Sequence, residues 1–186
     1  MPQEVIVQTS DLEKYCEKAL QAGATHAKII HPNMVVTAPW VRFKCLFGCA
    51  TQGRSYRCPP HTPTPEETQA VLNSYGRAIL FHVVAPSSKE RNANMRSYLD
   101  YLVTLEGEIF KDGYYKAFVM LAGVCAFCKD CGKMEGVSCR LPAKARPSME
   151  ACGIDVFQTA RNNGLPLTPL KDKSETRNIY CLLLVD

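Results

Sequence analysis

Apolar residues recur along this chain with two different periods, and the periods divide it into elements. Leu12, Tyr15, Cys16, Ala19 and Leu20 fall at helical spacing. Ser10 and Glu13 stand before and within that run as a capping box, and Gly23 follows as a stop. A second helix is predicted to open at Thr64-Pro65-Glu66-Glu67, where a cap residue precedes proline and two acids. The longest helix is predicted from Ser87 or Ser88 to about Lys111. Met95, Tyr98, Leu99, Leu102, Leu105, Glu106 and Ile109 trace its inner stripe, and Gly113 lies beyond it. A last helix is expected from Pro147 or Ser148 to Asn163, ending before Gly164.

Short apolar runs between these helices read as strands: Glu4 to Gln8, His26 to Ile30 (closed by Pro32), Arg77 to Ala85, Tyr115 to Ala122 and Asn178 to Val185. The Arg77 run is apolar with little alternation, as in a sheet covered on both faces. Strands alternating with helices give the fold class: α/β, a single central sheet with flanking helices, read as one domain over residues 1–186. Two cysteine-rich loops interrupt that scaffold and are expected to meet on one side of it. The first runs from Trp40 to Pro65, where no period emerges and cysteine, glycine, arginine and proline recur. A loop of that length inside a domain is usually functional. The second follows the Tyr115 strand.

Ten cysteines in 186 residues, with 46% hydrophobic content, change the picture most. The opening Met1-Pro2-Gln3-Glu4-Val5 has neither the cationic nor the apolar region of an export signal, and no run is apolar enough to span a bilayer. A cytoplasmic location is therefore expected, where thiols stay reduced and cysteines in number read as metal ligands.

Cys125-x2-Cys128-x2-Cys131, with Cys139 after seven intervening residues, is the spacing of a ferredoxin-type site. Three thiolates on one turn of backbone can each hold a different iron of a 4Fe-4S cluster, and the distant cysteine completes the set. A zinc knuckle pairs its ligands two and two and leaves a middle cysteine unused, so zinc is the alternative here. Cys45-x3-Cys49-x8-Cys58-Pro59-Pro60 is a second group of three. Its fourth ligand is not local; Cys152 is the first candidate and His61 the other. A second 4Fe-4S cluster, one iron of it left open for substrate, and a structural zinc site are the two readings of this group. Cys16 and Cys181 fall on apolar periodic elements and are read as core.

The net charge of +4 is mild, yet Arg42, Lys44, Arg54, Arg57, Lys129, Lys133, Arg140, Lys144 and Arg146 all lie in or beside the cysteine segments. Thiolate-bound clusters are anionic, and nearby cations stabilise them. Nucleic acid and membrane are not expected as partners. Radical chemistry with S-adenosylmethionine would want a C-x3-C-x2-C spacing that this chain lacks. The sequence has no P-loop, G-x-S-x-G, H-E-x-x-H or G-x-G-x-x-G motif.

The chain resembles the uncharacterised family of predicted metal-binding proteins called domain of unknown function 2284, found mainly in anaerobic bacteria and archaea. The resemblance rests on Cys45-Leu46-Phe47-Gly48-Cys49, Arg57-Cys58-Pro59-Pro60, the Cys125 to Cys139 group, and Ala145-Arg146-Pro147-Ser148-Met149-Glu150-Ala151-Cys152-Gly153-Ile154-Asp155. It implies metal binding and no particular reaction. The expectation is an iron–sulfur protein with two 4Fe-4S clusters that passes electrons to a redox partner or serves an anaerobic enzyme. The alternatives are an enzyme whose open iron binds a small anionic substrate, held by cations such as Arg57 and Arg146, and a zinc-stabilised interaction module.

Overall fold

The β-branched and leucine-rich runs pair into one antiparallel sheet. Its strands, β1 (His26–Ile30), β2 (Ala78–Ala85), β3 (Phe118–Met120) and β4 (Arg177–Leu184), stand in the order β1-β2-β4-β3. The computed structural model of the protein describes residues 9–85, 91–172 and 174–186, without the side chains of 91–93. The expected strand Glu4–Gln8 and the helix start at Ser87 or Ser88 lie outside the described residues.

Period-two alternation sends each central strand's side chains to two separate cores. Ile79, Phe81, Cys181, Leu183 and Val185 face one layer, with α1 (Glu13–Gln21) and α4 (Arg91–Lys111) packed on it through Tyr15, Leu102, Leu105 and Ile109. Ala78, Leu80, Tyr180, Leu182 and Leu184 face the other, with Leu72 of α3 (Pro65–Leu72) and Ala160 of α5 (Val156–Asn162). Both faces are covered, as the unbroken apolar run at β2 predicts. The mixed α/β class with a single sheet holds, and every pairing in the sheet is antiparallel.

Four details differ from expectation. Helix α1 starts at Glu13 without a side-chain cap, because Leu12 and Glu13 both donate to the Thr9 carbonyl in an added turn ahead of it. Leu20, expected on its inner face, is exposed. The stretch expected to be all loop from Trp40 contains α2 (Pro39–Gly48), launched by Pro39 after the extended residue Ala38. Its buried residue is Val41, while Trp40, Phe43, Leu46 and Phe47 are exposed, so no core-facing stripe announces it. The single helix expected from Pro147 or Ser148 is split. A 3-10 turn at Glu150–Cys152 ends at Gly153, whose φ of 78° is left-handed, and a side chain there would come 2.5 Å from Pro65 Cγ. Asp155 then caps α5, accepting from the Gln158 amide at 3.0 Å.

The edge strand β3 is short. Beyond it Leu121 bridges to the segment before the 3-10 turn, donating to the Pro147 carbonyl at 2.8 Å and accepting from Met149 at 2.9 Å. The second cysteine loop therefore leaves the sheet and returns to it at one place.

Candidate metal centres

Helix α2 carries Cys45 in its last turn and ends at Cys49, which is its C-cap and is exposed. Turns follow to Cys58. The Cys49 sulfur meets the Thr51 hydroxyl at 3.3 Å, and the Cys58 sulfur meets the Ser55 hydroxyl at 3.5 Å. Cys58 also lies 3.8 Å from the Thr51 carbonyl. Burial pushes the Cys45 thiol up, and the charges of Cys49, Glu150 and Cys58 reach it as well, partly opposed by Arg42. Thr51 and Ser55 escape a reading by ligand type, although a hydroxyl two or three residues from a cysteine is the signal that marks them.

The same loop is fastened to the Glu150–Cys152 turn. Arg42 donates to the Ala151 carbonyl at 3.0 Å, Thr62 to the same oxygen at 2.8 Å, and Thr68 to the Cys152 carbonyl at 2.8 Å. Helix α2 packs against that turn. Cys152 itself is fully buried in the core beside Met149 and Ile154, and burial pushes its thiol up to about 12. His61 stays near the surface, with its ring edge-on to Tyr56.

The second group is held by contacts between its ends. Gly132, next to Cys131, crosses so close to Ser138, next to Cys139, that a Cβ would sit 2.5 Å from the Ser138 carbonyl oxygen. Val137 donates to the Gly132 carbonyl at 2.9 Å, and Arg140 donates to the Asp130 carbonyl at 2.8 Å while pairing with Glu135 at 2.6 Å. Cys125, Cys128, Cys131 and Cys139 are each partly exposed. Cys16 and Cys181 are buried in the core, as expected; burial raises both thiols, Cys16 to about 11.

The two loops touch. Tyr56 Oη donates to the Val137 carbonyl at 2.8 Å, and the Arg57 guanidinium lies 5.8 Å from the centre of the Phe127 ring, which stands between Cys125 and Cys128. Arg57 is 6% exposed, and none of its three side-chain nitrogens has a hydrogen-bond partner among the described residues. A desolvated cation–π contact supplies about 2 kcal/mol, against several kcal/mol for burying an unpaired ion. The expectation that Arg146 would hold a substrate fares differently: it is committed to Glu106 at 2.6 Å.

As placed, no three His, Cys, Asp or Glu side chains among the described residues form a group that could hold a metal ion. The donor chemistry still suits a thiophilic metal. Seven partly exposed or exposed free thiols stand at the end of α2 and in two touching loops, and an orphaned buried cation where they touch calls for an anion, which a thiolate-bound metal is.

The scaffold is mixed α/β, and its accessible cysteines lie in two segments that touch. A family model described as "Predicted metal-binding protein (DUF2284)" matches residues 28–185, and the chain belongs to that family. Neither a curated protein nor a solved structure matches it. Among the described residues, no helix is long and apolar enough to cross a membrane.

Proposed function

We propose that the protein is an iron–sulfur electron carrier with two 4Fe-4S clusters, one on Cys125, Cys128, Cys131 and Cys139 and one on Cys45, Cys49 and Cys58. Cys152 completes the second set from the turn on which α2 rests. The observation that carries the reading is the contact between the two cysteine loops, through Tyr56 and Val137 and through Arg57 and Phe127. Two clusters in touching loops lie side by side, which suits passage of an electron from one to the other and on to a redox partner. The spacing of the Cys125 group supports iron over zinc, because each of its three close cysteines has a role at a cubane corner.

Reductive titration of anaerobically purified protein tests this. The expected uptake is about two electrons per chain, one per cluster. Stoichiometric zinc with no electron uptake would replace the carrier with a zinc-stabilised module. A spectrum that shifts when a small anion is added to the loaded protein would instead support an open iron and an enzyme.

A further inference from the structure

Arg57 stands where the two cysteine loops touch. It is 6% exposed, and none of its side-chain nitrogens has a hydrogen-bond partner among the described residues. Four other cations of the cysteine segments are engaged: Arg42 by the Pro63 and Ala151 carbonyls, Arg140 by Glu135, Lys144 by Asp100 and Arg146 by Glu106. A guanidinium stays charged at any ordinary pH and presents five N–H donors in a fixed fork. Buried and unpaired, it destabilises the fold until an anion meets it.

The groups around it indicate which anion. Cys58 is its neighbour in sequence, and its guanidinium lies over the ring of Phe127, which stands between Cys125 and Cys128 in sequence. The guanidinium meets aromatic carbon and little solvent, in a loop whose next residue is a cysteine.

We infer that Arg57 is the built-in countercharge of the thiolate-bound metal that the cysteine loops would hold at this junction, beside Cys58. The inference rests on the metal-binding reading above and adds a positioning and potential-setting residue to it. Donors aimed at cluster sulfurs, and positive charge beside them, stabilise the reduced and more anionic state. The same residue must therefore act with opposite sign in the two states of the protein. It stabilises the loaded form and destabilises the empty one.

Thermal melts of wild type, Arg57→Gln and Arg57→Lys, each loaded and after chelation, test this together with metal content and midpoint potential. The expected result for Arg57→Gln is a higher melting temperature than wild type when empty and a lower one when loaded. Reduction of the adjacent centre should become roughly tenfold less favourable, about 59 mV for a one-electron couple. Arg57→Lys should recover part of that potential, since it keeps the charge and loses the fork. A fall of equal size in both forms with an unchanged potential would overturn the inference and make Arg57 a packing residue. Should Arg57→Gln fail to fold, Arg57→Lys decides: a smaller downward shift supports the inference and no shift overturns it. Wild type that takes up neither iron nor zinc would sink the metal reading and this inference with it. A phosphate-dependent rise in melting temperature, lost in Arg57→Gln, would then assign Arg57 to a free oxyanion.

Discussion

Glu106 and Arg57 are buried to nearly the same degree, 7% and 6% exposed, one in the scaffold and the other between the cysteine loops. Glu106 is met on every side. Its carboxylate accepts from Arg146 Nε and Nη2 and from the Val119 amide at 2.7 Å, tying α4 to the edge strand and to the returning loop. Arg57 is met by an aromatic ring. The difference separates two jobs. The scaffold meets its buried carboxylate with its own groups, whereas the loops keep accessible thiols and one buried cation whose side-chain nitrogens find no hydrogen-bond partner among the described residues.

The largest expected effect breaks the scaffold side of that comparison. Glu106→Ala takes the carboxylate from the half-buried Arg146, which keeps the Ala143 and Ala145 carbonyls, and leaves the Val119 amide unpaired, so unfolding free energy should drop by about 3 kcal/mol, the lower end of the cost of removing one partner of a buried pair. Urea denaturation of the metal-free protein measures it. A loss below about 1 kcal/mol, typical of exposed pairs, would mean that the pair does not organise the edge of the sheet.

A smaller effect sharpens the difference between core and loop cysteines. Cys181→Ser puts a hydroxyl into an apolar layer and should cost about 1–3 kcal/mol without changing metal content. Cys16→Ser, nearer the surface of the same layer, should cost less. Denaturant melts paired with metal analysis check both. Loss of metal on either change would place a ligand inside the scaffold.

The smallest effect is a pH dependence that belongs to the sheet alone. His82 is buried, stacked on Tyr180, 2.8 Å from His26 Nδ1 through its own Nδ1, and 2.8 Å from Asn178 through Nε2. Burial, with the His26 charge adding to it and Asn178 opposing, holds His82 below its ordinary value of 6.5. The unfolded chain then binds a proton that the folded chain resists. Stability should be level above about pH 6.5 and fall below it, and His82→Gln should flatten that slope. An unchanged slope in the variant would assign it elsewhere.

Much of this was legible in the sequence, for identifiable reasons. Apolar runs located β2 and β4, and a helical stripe most of α4, because those elements bury continuous apolar faces, while β1 was located by a short run and α3 by its cap residues. The capping box at Thr64 forms as written, with Thr64 and Glu67 bonding each other's backbone at 3.2 and 2.8 Å. Helix α2 was illegible because its aromatic residues face outward and Val41 is what it buries. The break at Gly153 depends on a close approach to Pro65, a contact between segments that no local pattern encodes. At the candidate centres, ligand types and spacing were readable from the cysteines. The contact of the loops was foreseeable only in outline, and the solitude of Arg57 not at all, since it depends on which neighbouring cations find carboxylates.

The most direct test of the central claim is a count of iron, acid-labile sulfide and zinc per chain, made anaerobically on wild type, Cys128→Ser and Cys58→Ser. The account predicts about eight irons and eight sulfides in wild type and about four of each when either loop loses its thiolate. Stoichiometric zinc with negligible sulfide, or metal content indifferent to both substitutions, would contradict it.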